Sequence, residues 1–210
     1  MRLEVHNDER LGEGGFLRLR RLRLVNLRDD GSRSRAYACD FVERPLGLDA
    51  VAVVLFARDA GAAGGVRVLL RDALRPALDY GRSGPGGGSP WSTEVVAGLL
   101  AAGDEGEEGV RRRAAIEVDE EAGFCVAPEA IRFLGNPAFA SPGVIGERIW
   151  LVAAEVDPAS GHAPSGDGSP MEEGGCLRWL PLAEAIAAVR DAKTELALRR
   201  LSDYLAGPAT

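Results

Sequence analysis

An alternation of apolar and charged residues marks the first predicted strand of the chain. Residues 17–24 read LRLRRLRL, which alternates with one slip at the central pair of arginines. A period of two residues is typical of a half-buried strand, and a single slip is typical of a β-bulge. Residues 35–42 alternate again after the turn-forming sequence DDGS at 29–32. The two segments together predict a β-hairpin.

Continuous apolar runs follow this N-terminal unit and predict a buried sheet. Residues 50–56 read AVAVVLF, a pattern typical of a strand that is covered on both faces. The glycine at position 123 predicts the end of a helix that begins near residue 108. Further strands are predicted at 66–70, 93–100, 131–134, 149–154 and 177–180, and further helices at 182–191 and 194–205. We therefore divide the chain into a β subdomain of residues 1–48 and a main domain of residues 49–210.

Composition narrows the class of protein. No segment approaches the roughly 20 consecutive apolar residues that span a bilayer, and the N-terminus lacks the apolar core of a signal peptide, so we expect a cytoplasmic protein. The cysteines at 39, 125 and 176 follow no spacing pattern, which predicts neither a disulfide framework nor a zinc ligand set. His6 and His162 are not predicted to be ligands or bases.

The charge is distributed unevenly along the 210 residues. The first 48 residues hold 10 arginines against 8 acids, a balance of +2, and the remainder holds 15 basic residues against 24 acids, a balance of −9. An acidic main domain argues against a nucleic-acid surface, which needs a basic face. The arginines of residues 17–24 are interpreted either as a row that binds phosphate or as a solvated strand face, the commoner case.

Three carboxylates lie on one face of the helix predicted at 108–122. Glu117 and Glu121 are four residues apart, and Glu120 is three residues from Glu117. Like charges at this spacing destabilise a helix by a few tenths of a kcal/mol per pair, and a hard divalent cation removes that cost. The alternative is an acidic helix face that is exposed to solvent, where Arg113, one turn before Glu117, reduces the repulsion between the carboxylates.

The same segment resembles the Nudix box, whose pattern is G-x5-E-x7-R-E-U-x-E-E-x-G-U, where U is an apolar residue. Two positions depart from it, since Ala102 stands in place of the first glycine and Ile116 in place of the arginine that helps hold the glutamates. Arg113 is not an obvious replacement because helical side chains point toward the N-terminus. The positions in register are Glu108, Glu117, Val118, Glu120, Glu121, Gly123 and Phe124.

The flanking sequence is similar to the Nudix branch that cleaves ADP-ribose and nucleoside diphosphate sugars. Residues 94–100 resemble the branch's E-L-P-A-G-L segment, and residues 74–77 resemble its Arg-Pro element. Ser141-Pro142-Gly143 with Glu147 matches its S-P-G-x3-E loop. The glycine-rich insertion at 81–90 and the missing box arginine also occur in UDP-sugar diphosphatases, which favours sugar nucleotides.

The resemblance implies a magnesium site, with Mn²⁺ as the alternative metal. Glu117 and Glu121 become the main metal ligands, Glu120 lies beside them, and the carbonyl oxygen of Ala97 completes the set. Mg²⁺ suits oxygen donors and leaves positions for water and for diphosphate oxygens.

The resemblance also implies a general base on a loop before the last strand. Glu173 is favoured and Glu172 is its neighbour, although both could be ordinary exposed loop acids. Arg75 is implied to bind a substrate phosphate, with a surface salt bridge as the alternative. Glu147 is implied to contact the substrate or a metal-bound water. The alternative is a glutamate at the start of a strand that has no functional role.

The fold implied by the resemblance is the Nudix α/β/α sandwich with a mixed sheet, preceded by the small N-terminal β subdomain. The implied activity is Mg²⁺-dependent hydrolysis of ADP-ribose or a nucleoside diphosphate sugar such as UDP-glucose, which gives a nucleoside monophosphate and a sugar phosphate. The implied assembly is a homodimer whose N-terminal subdomain helps build the substrate pocket. The alternatives are a catalytically inactive Nudix fold that binds a nucleotide or a partner, for which Ile116 speaks, and the weaker case of nucleic-acid binding through the arginine-rich strand.

Overall fold

Two compact units make up the chain. The computed structural model describes residues 2–11, 16–45, 47–59, 61, 65–80, 89–166, 168–172 and 174–207, with the backbone alone for 2–5, 8, 10, 11, 80 and 172. One unit comprises the chain up to Leu48 together with Phe139–Arg148, and the other comprises Asp49–Ala138 together with the chain from Ile149 onward.

One segment belongs to a different unit from the one expected. Residues 139–148, which the sequence-based division placed in the main domain, belong to the first unit. The reason is local bonding, because the Val42 N–H donates to the Val144 carbonyl oxygen at 2.8 Å and the Arg44 guanidinium pairs with the Glu147 carboxylate at 2.5 Å.

The first unit contains an antiparallel three-stranded sheet in the order β1-β2-β3. The strands are β1 (Arg2–Leu11), β2 (Arg18–Leu27) and β3 (Tyr37–Glu43). The β2–β3 hairpin was predicted, whereas β1 was not. The alternation of β1 is confined to residues 2–6, and the polar run NDER follows at 7–10.

The predicted β-bulge in the middle of β2 is absent. The pairing of β2 with β3 runs without interruption from Arg18 to Leu24, and the register shift lies in β1, between Val5 and Asn7. Because β2 stays in register, the slip in its sequence pattern turns the N-terminal leucines to the exposed face. Leu19 is accordingly 38% exposed and Leu24 only 4% exposed.

A mixed eight-stranded sheet forms the centre of the second unit. The order β11-β5-β4-β10-β8 places β4 (Ala50–Arg58) antiparallel to β5 (Val66–Leu74) and parallel to β10 (Arg148–Glu155). The short strands β6 and β7 pair with β5 and β4, respectively. The remaining strands are β6 (Trp91–Glu94), β7 (Val96–Leu99), β8 (Arg132–Phe133), β9 (Ala138–Phe139) and β11 (Leu177–Pro181).

Helices cover both faces of this sheet, which confirms the predicted α/β/α sandwich. Alternate residues of β4 separate the two core layers: Val51, Val53 and Leu55 pack with α2, and Ala52, Val54 and Phe56 pack with α4. Strand alternation explains this division, because successive side chains point to opposite faces. The helices are α1 (Ala77–Tyr80), α2 (Gly106–Ala122), α3 (Leu182–Ala188) and α4 (Ala192–Ala206).

Helix α2 ends where the sequence predicted. Gly123 follows its last residue with φ +71°, a left-handed conformation that favours glycine. A Cβ atom at this position would also lie 2.0 Å from the His162 carbonyl oxygen, so a side chain has no room there. None of the helices in the described ranges is long and apolar enough to cross a membrane.

A buried network of ion pairs joins β6 to the start of α4. The Glu94 carboxylate, only 4% exposed, accepts two hydrogen bonds from the Arg75 guanidinium, at 3.0 and 2.9 Å, and one from the Lys193 ammonium, at 2.5 Å. Burial by itself raises the pKa of Glu94, but the Arg75 hydrogen bonds and the Lys193 charge outweigh it and lower the pKa to about 2. Next to this network, the Val95 N–H donates to the Thr194 hydroxyl oxygen at 3.2 Å.

This network predicts a pH-dependent stability difference. The pKa of Glu94 is depressed from 4.5 to about 2 in the folded protein, so its stabilisation is complete above pH 5 and is lost as the pH falls toward 2. Glu94→Gln should therefore destabilise the protein most at pH 7, and the difference from the wild type should shrink by about 2 kcal/mol at pH 3. Urea denaturation at several pH values measures it.

The matched control is Glu107→Gln, because the Glu107 side chain on α2 is 70% exposed. Its difference from the wild type should stay small and constant over the same pH range. A Glu94→Gln difference that does not change with pH would contradict the role assigned to the network.

Candidate functional site

Helix α2 packs against β7 and β4 of the sheet. Glu121, near its C-terminal end, is fixed from two sides. Its Oε2 atom accepts a hydrogen bond from the Ala97 N–H at 3.1 Å. Its Oε1 atom forms an ion pair with the Arg71 guanidinium. The Arg71 and Glu121 side chains are 12% and 13% exposed, so this pair is largely shielded from water.

Glu117 lies one turn before Glu121 and packs against Gly98 of β7. A Cβ atom on Gly98 would lie 1.9 Å from Glu117 Cδ and 2.0 Å from Glu117 Oε1. Only glycine therefore lets the carboxylate occupy this place. Arg113 Nη1 approaches Glu117 Oε1 to 3.8 Å, and Arg113 Nε also donates to Asp104 Oδ2 at 2.9 Å.

The arginine expected at position 116 has no counterpart there. The Ile116 side chain is 43% exposed and lines a separate hollow together with Asp119 and Cys125. Two other arginines lie beside the glutamates instead, Arg71 from β5 and Arg113 from the preceding turn of α2. Arg113 was considered as a residue that relieves the acidic face but not as an obvious replacement for the box arginine. Arg71 was not predicted, although it directly follows the apolar run of β5.

A cavity of about 350 Å³ opens beside these glutamates. Glu120 and Glu121 form one wall with Arg71, and the loop before β11 forms the opposite wall. The Asp72 carboxylate at its edge accepts hydrogen bonds from Arg178 at 2.5 Å and from the Thr93 hydroxyl at 2.8 Å. The lining residues are Arg71, Asp72, Glu120, Glu121, Pro164, Ser165, Gly166, Gly168, Ser169, Gly175, Cys176 and Leu177.

The donor chemistry of this wall fits a hard divalent cation. Carboxylate oxygens are the ligands that Mg²⁺ and Mn²⁺ prefer, and the cavity leaves room for water and a phosphate group. Both oxygens of the Glu121 carboxylate already have N–H partners, one from Ala97 and one from Arg71. A cation bound there would neutralise the negative charge that Arg71 now neutralises. Ala97 contacts Glu121 through its N–H rather than its carbonyl oxygen.

The other predicted residues have different surroundings. Arg75 is engaged by Glu94, and those hydrogen bonds raise the Arg75 pKa further above its ordinary value. Glu147 belongs to the first unit, where it pairs with Arg44. Glu172 follows Met171 in a short 3₁₀ turn and is described by its backbone alone. Glu173 lies outside the described residues.

Comparison with known proteins gives a likeness in structure and none in sequence. No protein-family model and no curated protein matches the sequence. Among solved structures, the chain is similar to the crystal structure of an ADP compounds hydrolase, with a TM-score of 0.64, 19% identity, and coverage of 99% of this chain and 96% of that one.

Two lower matches are structures of the T. brucei protein MERS1, one in complex with RNA and one in the apo form. Their TM-scores are 0.39 and 0.38 at 16% identity; they cover 56% and 57% of this chain and 37% and 43% of their own chains, so they carry no argument. The likeness to the hydrolase shows the fold alone. The chain has the mixed α/β Nudix fold of that ADP compounds hydrolase, with a large mixed sheet and a small antiparallel sheet of three strands.

Proposed function

We propose that the protein is a Mg²⁺-dependent Nudix hydrolase of ADP-ribose or a nucleoside diphosphate sugar such as UDP-glucose. Water cleaves the diphosphate linkage and releases a nucleoside monophosphate and a sugar phosphate. The observation that carries this proposal is the wall of box glutamates beside a cavity of about 350 Å³ with Arg71 among them. The fold of a solved ADP compounds hydrolase supports the same class of substrate.

Glu117, Glu120 and Glu121 are the residues that would hold Mg²⁺, or Mn²⁺ in its place, with the carbonyl oxygen of Ala97 as the further ligand. The cation, when bound, neutralises diphosphate oxygens and lowers the pKa of a coordinated water. Gly98 lets the Glu117 carboxylate lie against β7, and the Ala97 N–H orients that of Glu121. Ligand carboxylates are usually oriented by such hydrogen bonds.

Arg75 is proposed to bind a phosphate group of the substrate. Glu94 accepts from two of its N–H groups, whereas a guanidinium carries five in a fixed plane. The Arg75 side chain is 44% exposed, so a phosphate can approach its outer edge. The buried Glu94 carboxylate therefore acts as a clamp that sets the direction of the guanidinium.

The remaining roles stay proposals drawn from the resemblance. Glu173 is proposed as the general base that takes a proton from the attacking water, with Glu172 as its neighbour in the chain. Glu147 is proposed to contact the substrate or a metal-bound water.

A second candidate function is nucleotide binding without hydrolysis. Two observations favour it, since Ile116 replaces the box arginine and the Glu121 carboxylate is already paired with Arg71 and Ala97. The three acids speak against it, because a site without a cation gains nothing from carboxylates that repel one another on one helix face.

We also propose that the protein forms a homodimer through its first unit. Large apolar side chains are exposed on this unit, among them Phe16 at 61%, Leu17 at 45% and Leu19 at 38%. Exposed apolar side chains that lie close together are typical of protein–protein interfaces. Leu19 is exposed because β2 has no bulge, and Phe16 and Leu17 lie directly before this strand.

The hydrolase proposal predicts that Glu121→Gln removes activity. The substitution keeps the size of the side chain and deletes a charged ligand, so kcat/KM should fall by at least about 100-fold. The measurement is release of AMP or UMP from ADP-ribose, UDP-glucose and related diphosphates in the presence of Mg²⁺. Glu107→Gln, on the exposed first turn of the same helix, should keep the wild-type rate.

Two results would overturn this assignment. Unchanged Mg²⁺-dependent hydrolysis in Glu121→Gln would mean that the site lies elsewhere. No turnover of any diphosphate by the wild type, together with nucleotide binding measured by calorimetry, would establish the second candidate function.

The packing of Glu117 predicts a separate effect for Gly98→Ala. The added methyl group occupies the place of the Glu117 carboxylate, so the Mg²⁺ concentration for half-maximal activity should rise about tenfold or more. Gly61→Ala is the control, because its Cβ would lie 3.3 Å from Asp59 Oδ1, the end of a flexible side chain. An unchanged Mg²⁺ requirement in Gly98→Ala would contradict the role given to Glu117.

A further inference from the structure

Three side chains of different chemistry meet just past the C-terminal end of α2. Asp119 lies on the helix, Cys125 follows it, and His162 comes from the loop after β10. His162 Nε2 lies 2.8 Å from Asp119 Oδ1. Cys125 Sγ lies 3.5 Å from the same oxygen and 3.8 Å from His162 Nε2. The ligand atoms of these three residues all lie within 4.8 Å of one another, which is close enough to share one metal ion.

The imidazole of His162 is oriented by its other nitrogen. Nδ1 lies 3.0 Å from the Ala163 carbonyl oxygen. A carbonyl oxygen only accepts, so Nδ1 carries a hydrogen. Once the proton shared between Nε2 and Asp119 leaves, Nε2 is the nitrogen that presents its lone pair. Histidines that bind metals are commonly fixed by such a bond to a backbone carbonyl.

The separations between the three atoms agree with tetrahedral zinc coordination. Ordinary Zn–S, Zn–N and Zn–O bond lengths place the ligand atoms about 3.6 Å apart for sulfur with nitrogen or oxygen, and about 3.4 Å apart for nitrogen with oxygen. Both sulfur distances lie within a few tenths of an ångström of this value. The nitrogen–oxygen pair is closer, at 2.8 Å, because a hydrogen bond joins it, and it has to open by about 0.6 Å.

We propose that Asp119, Cys125 and His162 bind a zinc ion, or a chemically similar divalent cation, with water as the fourth ligand. A thiolate and an imidazole select such a cation over Mg²⁺. This preference distinguishes the site from the glutamate wall, which consists of Glu117, Glu120 and Glu121 beside the cavity. Binding releases the thiol proton and the proton between His162 and Asp119. His162 and Asp119 are 47% and 49% exposed, so the ion can enter from solvent.

The geometry does not suit a nucleophilic Cys-His-Asp triad. In a triad the acid holds one imidazole nitrogen and the nucleophile faces the other. Here Asp119 and Cys125 both face Nε2, and Nδ1 is held by the Ala163 carbonyl oxygen. Convergence of all three groups on one point is the arrangement of a metal site.

The backbone already holds the loop against the helix at this point. The His162 N–H donates to the Gly123 carbonyl oxygen at 2.8 Å, and the Gly166 N–H donates to the Glu120 carbonyl oxygen at 2.9 Å. Pro164, at the centre of this loop, lines the cavity beside Glu120 and Glu121. An ion bound by His162 of this loop and by Asp119 of α2 would therefore hold the loop, and with it one side of that cavity, against the helix.

Cobalt titration tests the site directly. Co²⁺ added to the metal-free protein in excess Mg²⁺ should give the near-ultraviolet charge-transfer absorption of a thiolate ligand. This absorption should saturate at one Co²⁺ per chain, and Zn²⁺ should remove it. Cys125→Ser should abolish the absorption, and His162→Gln should weaken Co²⁺ binding at least tenfold. Cys39→Ser, in the first unit, and Glu121→Gln, at the glutamate wall, should leave it unchanged, which separates this test from the one for hydrolysis.

The proposal is overturned if the wild type shows no thiolate absorption, or if Cys125→Ser keeps it. Hydrogen exchange tests whether the ion holds the loop after β10 against α2. Zn²⁺ should slow exchange at the amides of His162 and Gly166 in the wild type and not in Cys125→Ser. Equal exchange with and without Zn²⁺ would overturn that part. Thermal melting of both variants checks that these exposed substitutions leave the protein folded.

Discussion

The electrostatic balance of the carboxylates on α2 is the constraint on which the site depends. Eight acids lie between Asp104 and Glu121, and three of them share one helix face. Two of these three, Glu117 and Glu121, contact β7. Like charges so placed repel, and burial next to the sheet strengthens the repulsion. The folded chain offsets it with Arg71, with Arg113 and with the Ala97 N–H. This balance keeps charged groups at the edge of a cavity, where a cation and a phosphate can meet them.

The local parts of this arrangement were predictable from sequence. Apolar periodicity located the central strands, and Gly123 marked the end of α2, because both signals depend on residues close together in the chain. The prediction of a β-bulge in β2 was wrong. A break in the alternation of leucine and arginine also arises when the strand stays in register and some of its leucines face solvent. The ion pair between Arg71 and Glu121 could not be predicted, since it depends on which strand lies beside the helix and therefore on the order of the sheet.

The same distinction applies to the candidate site. Glu120 and Glu121 line the cavity, and Glu117 lies one turn before Glu121 on the helix face that the spacing predicted. Arg75 is engaged by the buried Glu94, a contact that needs the sheet to form first, and Glu147 belongs to the other unit. Asp119, Cys125 and His162 show no metal-binding spacing in the sequence, and His162 was not expected to be a ligand. The loop after β10 returns to the end of α2 and brings the three together.

The central claim is that the glutamate wall holds a hard divalent cation, and paramagnetic broadening by Mn²⁺ tests it most directly. In amide spectra of the wild-type protein, substoichiometric Mn²⁺ should broaden the signals of Ala97 and Arg71, and excess Mg²⁺ should restore them. The signal of Leu198, which packs on the opposite face of the sheet, should stay sharp throughout. Signals of Ala97 and Arg71 that remain as sharp as that of Leu198 would contradict the claim.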